Sequence, residues 1–233
     1  MKITTRSKSL AAAIIAATFF GPLLSSAEAA TANVRITEWM YKNEGSPGEF
    51  IEFTNLGSVA VDLTGWSYAD SSAKAGDVSL SAFGTVAAGE SVILTEASAS
   101  AFRTAWNLSA SVKIIGGNSK DNLGNGDAIN LYDSSKTLVD SLVYGSSPLT
   151  DGKSGRPGSA AALGGQNPAQ WALSSVGDIE GSYASIGGDI GSPGKTSFVS
   201  APSAVPLPAA LPMFLSGFGL LGLGGLRRKN SAK

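Results

Sequence analysis

Val34-Arg35-Ile36-Thr37 and, past the turn residues Asn43 to Gly48, Glu49-Phe50-Ile51-Glu52-Phe53 set the fold class of this chain. The first stretch alternates apolar and polar at period two, as a strand with one buried face does. Working outward, Ser91 to Leu94, Val112 to Ile115, Ala128 to Tyr132 and Thr137 to Tyr144 read as further short strands. Gly57-Ser58, Ala88-Gly89, Gly116-Gly117 and Gly124-Asn125-Gly126 separate them as turns. One short helix is expected around Ala97 to Trp106. Short strands at fairly regular spacing predict an all-β fold, an antiparallel sandwich or barrel. From Gly145 to Ser192 the chain is rich in Gly, Ser and Ala, so long loops are expected there, with one or two strands near Trp171 and Tyr183. Residues 197–204 read as a linker.

The two ends carry a different pattern. Lys2, Arg6 and Lys8 precede an apolar stretch from Leu10 to Leu24, and Ala27-Glu28-Ala29 then places small residues at the two positions a signal peptidase reads. That order is the signature of a secretory signal peptide, so residues 1–29 are expected to be removed by cleavage after Ala29. At the other end, no charged residue occurs from Thr196 through Leu226, and Arg227, Arg228 and Lys229 follow at once. Pro206, Pro208 and Pro212 keep the first part extended, although Pro212 can open a helix. A transmembrane helix over 211–226 would be about 24 Å long, short for a hydrocarbon core of about 30 Å. The basic cluster behind it should stay cytoplasmic as a stop-transfer signal.

Dividing the charges by segment reveals an acidic body. Between Ala30 and Val205 there are 10 basic and 17 acidic residues, although the whole chain, with 17 and 18, looks neutral. Such a body argues against capture of nucleic acid or anionic lipid and is compatible with cations, neutral glycans or basic partners. The chain has no cysteine, so an exported domain would be held by its core alone. Residues 30–196 suffice to bury roughly two-thirds of their unfolded surface in one domain.

Without His or Cys there is no Ser-His-Asp triad, no cysteine nucleophile and no His-ligated zinc. No G-x-S-x-G elbow occurs, and carboxylate-pair hydrolysis stays formally open. Gly217-x-Gly219-x-x-Gly222 lies in the apolar tail with no preceding strand, which removes the setting a phosphate-binding turn needs. Asp121, Asn125, Gly126 and Asp127 resemble a calcium loop. However, Leu123 and Tyr132 stand where oxygen ligands are required, so a turn feeding the next strand is the better reading.

Glu38, Glu49 and Glu52 are the candidate site residues. If Val34 and Ile36 face the core, period two sends Glu38 to the same side. Glu49 then shares a face with Ile51 and Phe53, and Glu52 the opposite face with Phe50. A carboxylate on a buried face must be paired or hydrogen-bonded. Two readings stand: structural carboxylates held by backbone N–H groups or by Arg35 or Arg156, and a calcium site at the sandwich edge. The first is favoured, because calcium needs six or more oxygens. Trp39, Trp66, Trp106 and Trp171 are expected as core or core-edge anchors.

Ile36-Thr37-Glu38, Gly48 to Phe53 with Asn55, and Asp62-Leu63-Thr64-Gly65-Trp66 together resemble a bacterial lamin-tail domain. So do Gly126 to Asp133, Val139 to Gly145 and the closing Gly191-Ser192-Pro193-Gly194. The resemblance covers about Ala32 to Thr196, departs from the family pattern over Gly158 to Asn167, and implies an immunoglobulin-like β-sandwich over 30–196. The tail, residues 205–233, begins Val205-Pro206-Leu207-Pro208-Ala209-Ala210 and is similar to the V-P-L-P-A variant of the PEP-CTERM sorting signal, with Leu207 where the commoner form has Glu. That likeness implies handling by an exosortase-type enzyme in a Gram-negative bacterium. An inner-membrane intermediate would be followed by delivery to the cell surface or extracellular matrix. The expected function is therefore a non-enzymatic structural or adhesive protein of surface or biofilm material, with exopolysaccharide or surface proteins as partners. The alternative is a calcium- or polysaccharide-binding module, and a weaker one is a carboxylate-dependent hydrolase.

Overall fold

The computed structural model describes residues 32–45, 48–145 and 151–199. The expected leader, the processing residues Ala27, Ala29, Val205, Pro206, Leu207 and Pro208, the helix over 211–226 and Arg227, Arg228 and Lys229 lie outside them. Among the described residues no helix is long and apolar enough to cross a membrane.

Among the described residues there are fourteen strands and one short α-helix. They are β1 (Val34–Met40), β2 (Phe50–Asn55), β3 (Val61–Asp62), β4 (Ser67–Ala69), β5 (Val78–Ser79), β6 (Thr85–Val86) and β7 (Ser91–Thr95). After helix α1 (Ala99–Ala105) come β8 (Lys113–Ile115), β9 (Asp127–Tyr132), β10 (Leu138–Tyr144), β11 (Gly155–Pro157), β12 (Trp171–Leu173), β13 (Tyr183–Ala184) and β14 (Ile190–Gly191). One sheet has the order β12-β11-β1-β2-β7-β8 and a second the order β10-β9-β4-β5; β3–β6 and β13–β14 are two-stranded ribbons. All pairs are antiparallel except β7–β8, which are parallel because the α1 crossover returns the chain to the starting end.

The main core lies between the two larger sheets. Ile36, Trp39, Ile51, Phe53, Val92 and Leu94 of the first meet Tyr68, Ile129, Leu131, Leu142 and Tyr144 of the second. The six-stranded sheet has a second apolar cover: Met40, Phe50 and Ile93 pack under Phe102 and Trp106 at α1. Ser98 caps that helix by accepting the Ala101 N–H at 3.2 Å. Burial on both faces explains why every residue of β2 and β7 is buried and why neither strand alternates cleanly.

Two expectations need correction. A β-bulge between Ile36 and Glu38 shifts the register, so Ile36 pairs with Phe53 while Glu38 pairs with Glu52. Glu38 therefore lies on the face opposite Ile36, because a bulge adds one residue and inverts the alternation beyond it. Trp66, expected as a core or core-edge anchor, is partly buried at the core rim. Finally, the described residues of 145–192 contain four strands, of which β11 and β14 are too short and too rich in glycine and proline to leave a periodic signal.

Asp140 fastens the two sheets at the bulge. Its carboxylate, 6% exposed, accepts the Ile36 N–H at 2.9 Å across the sandwich and the Ser141 N–H at 2.9 Å. Beside it, Arg35 donates to the Val139 carbonyl at 2.8 Å. Asp140→Ala would strand the buried Ile36 N–H, so we expect a loss of about 1–3 kcal/mol in urea unfolding. A loss within the few tenths of an ordinary surface change would show that another acceptor takes over.

Candidate functional site

The three glutamates are all buried, at 1% exposure for Glu38, 6% for Glu49 and 0% for Glu52, but they form two sites rather than one. Glu49 stands at the start of β2 on the main-core side. Both of its oxygens accept the Leu123 N–H, at 2.9 and 2.8 Å. Burial pushes its carboxyl up to about 8 against the opposing Leu123 bond, and the charges of Glu96 and Asp127 push the same way.

Glu38 and Glu52 face each other across the β1–β2 ladder, on the side covered by α1 and the C-terminal segment. Glu38 accepts the Ser154 hydroxyl at 2.5 Å, the Ser192 N–H at 2.7 Å and the Ser192 hydroxyl at 3.2 Å. Behind Ser154 stands Ser174, at 2.6 Å. Glu52 accepts the Thr37 hydroxyl and the Gly194 N–H, both at 2.6 Å, and the Thr54 hydroxyl at 3.3 Å. Thr54 in turn meets Ser91 at 2.7 Å. Burial raises both carboxyls, Glu38 to about 7 against its serine donors and Glu52 to about 8, where the neighbouring Glu38 charge adds to it. Burial, and at Glu52 the charge of Glu38, favour the protonated form at this pair.

The close approach of Gly191 belongs to the same site. A Cβ there would lie 2.8 Å from Glu38 Oε1 and 3.2 Å from the Trp106 ring, so only glycine lets the segment reach the carboxylates. Neither arginine expected as a partner reaches them: Arg35 is committed to Val139, and Arg156 pairs with Asp178 at 2.6 Å. The buried carboxylates are met instead by hydroxyls and backbone N–H groups, which satisfy them without a counter-charge.

Among the described residues, no three His, Cys, Asp or Glu side chains come together in a way that would hold a metal ion. Asp127 closes the turn into β9, accepting the Gly124 N–H at 2.9 Å, the Ala128 N–H at 2.8 Å and the Ser71 N–H at 3.1 Å. Trp39, Trp106 and Trp171 are at most 6% exposed. A shallow groove of about 280 Å³ between β5 and the end of β8 is lined by Asp77, Leu94, Asn118 and Lys120 among others, and by no aromatic ring.

Sequence reasoning singled out Glu38, Glu49 and Glu52 but missed Asp140, Ser154, Ser174 and Glu180. An aspartate in the middle of a strand was a readable signal for Asp140, since strands disfavour it. The serines give no signal, because serine is as common in the surrounding loops.

Two β-sheets packed on a common apolar core form an immunoglobulin-like β-sandwich. The chain belongs to the lamin-tail-domain family, a generally non-enzymatic group, whose model, Lamin Tail Domain, matches residues 27–146. The fold continues past that match, since β11 pairs with β1 and β12 with β11 in the same sheet. No curated protein and no solved structure matches the chain.

Proposed function

We propose that this is an exported, non-enzymatic protein whose lamin-tail domain serves a structural or adhesive role in the cell envelope or extracellular matrix. The observation that carries the reading is the order of segments along the chain. A basic, apolar, small-x-small leader and a V-P-L-P-A tail with an apolar run and a basic end flank one acidic, cysteine-free domain. The domain fits that role because its most buried carboxylates are spent on holding strands and loops together, with hydroxyl and N–H donors at each. Signal peptidase removes residues 1–29. An exosortase-type enzyme handles the tail from about Val205, with Arg227, Arg228 and Lys229 holding its end in the cytoplasm. The acidic domain is then released to exopolysaccharide or surface proteins.

Mass spectrometry of the surface fraction tests this. The expected mature chain begins at Ala30 and ends between Val205 and Ala209. An exported form that still carries Met1, or mature material ending at Lys233, would overturn the corresponding processing step.

A further inference from the structure

Three buried glutamates on three different elements each accept a backbone N–H from one short stretch at the end of the described chain. Glu38 of β1 takes Ser192, at 2.7 Å, and Glu52 of β2 takes Gly194, at 2.6 Å. Glu180, in the loop between β12 and β13, takes Ser197, also at 2.6 Å. The three side chains belong to residues 1%, 0% and 5% exposed, and Glu180 Oε1 is buried with no hydrogen-bond partner. The stretch also has a small apolar fastening, with Pro193 buried and Phe198 half-buried. Gly194 abuts Val112 and Leu108, and Val199 lies against Gly89.

We propose that residues 192–199 are a strap latched onto the β1–β2 face by Glu38, Glu52 and Glu180, and that the strap unlatches as the medium passes from acid to mildly alkaline, ahead of unfolding of the sandwich. The surroundings of the latch carry no compensating cation. From β1 and β2 the carboxyls of Glu38 and Glu52 face each other. From the loop before β13 comes Glu180, whose charge also acts on Glu38, and from β13 comes Tyr183, whose phenol donates to the Trp106 carbonyl. In the same loop Asp178 is already neutralised by Arg156. On the strap itself the one cation is Lys195, exposed, with its ammonium over Gly181. The ion pairs among the described residues, Lys42–Asp151, Lys74–Asp77, Lys113–Glu90 and Arg156–Asp178, include none of the three glutamates.

Closed, the strap keeps water from Glu38 and Glu52, and burial raises them toward about 7 and 8. Open, they return to the ordinary carboxylate range. Each proton the open state gives up therefore favours it about tenfold per pH unit between those two ranges. Lifting the strap exposes Pro193, Phe198 and Val199, whereas unfolding the sandwich exposes the whole core, so the local opening comes first.

Amide hydrogen exchange on the full chain, kept in a mild non-ionic detergent and normalised for intrinsic exchange, reads this directly. Protection over residues 192–199 is expected to fall at least tenfold between pH 5.5 and 8.5, while residues 127–132 of β9 keep theirs. Glu52→Gln and, separately, Glu38→Gln should each flatten the fall and leave the strap better protected at pH 8.5 than in the wild type. Strap protection that does not change with pH, or that falls in step with β9, would overturn the proposal, and the wild-type measurement alone decides this if a variant does not fold.

Discussion

Trp39→Ala is expected to cost about 3–5 kcal/mol of folding stability, the range for emptying a buried aromatic site. The ring is 1% exposed, stacks on Tyr144 with centroids 4.1 Å apart and planes at 20°, and so joins the two sheets at the centre of the core. Its backbone pairs with Gly155, where a Cβ would lie 2.6 Å from the ring. The space is thus closed on one side by glycine backbone, which cannot swing a side chain into the hole. Because the indole N–H has no hydrogen-bond partner, the loss is of packing rather than of a polar bond. Trp39→Phe should therefore cost clearly less than Trp39→Ala. Urea unfolding at constant m-value measures both. A loss under about 1 kcal/mol for the alanine variant would mean that the ring is not a core anchor. Gly155→Ala should destabilise from the opposite side of the same contact, by forcing the ring out of its stack.

Stability should peak in mild acid and decline as pH rises to about 8. Glu38, Glu49 and Glu52 have folded-state values raised above the ordinary 4.5, to about 7, 8 and 8, each chiefly by burial. A carboxyl raised by folding is protonated in the folded state where the unfolded chain has already lost the proton. Folding thus takes up protons between about pH 4.5 and 8, and stability falls across that window at about 1.4 kcal/mol per pH unit for each proton held. Below pH 4 the sign reverses. Burial works upward on Asp178, but the Ser175 and Ser182 N–H groups, the Ser182 hydroxyl and Arg156 outweigh it and hold its carboxyl low. Asp151 is likewise held low by Lys42 and Tyr41. Stability those groups supply is lost as they protonate in strong acid. Denaturant midpoints from pH 3 to 9 should trace a maximum near pH 4–5. The double variant Glu38→Gln/Glu52→Gln should be flatter than wild type from pH 5 to 8. A wild-type profile that rises steadily from pH 5 to 8 would show that these acids are ionised in the folded protein.

Much of the frame was legible. Val34 to Thr37 and Ala128 to Tyr132 fall within observed strands, Glu49 to Phe53 and Thr137 to Tyr144 do so from their second residue, and Ala97 to Trp106 contains the helix. These segments carry periodic or aromatic-rich patterns several residues long, which is the information local chemistry can express. Strands β3 to β6, two or three residues each, have no room for a period and are defined by their partners. Residues and turns of the closing segment were visible as Gly191-Ser192-Pro193-Gly194, yet nothing in that string says which side chains its N–H groups meet.

The sequence by itself determined the class of fold, the acidic, cysteine-free body and the three glutamates as groups that folding would have to satisfy. Those properties follow from composition and from patterns within a few residues. Tertiary structure alone decided the face on which Glu38 lies, because one extra residue at the Ile36–Glu38 bulge inverts the alternation and costs too little locally to be read. It also decided that Glu38 and Glu52 sit opposite each other, and that Ser192 and Gly194, more than a hundred residues further along, supply their N–H donors. A carboxylate's need for partners is local chemistry, but which partners arrive depends on how distant strands stack.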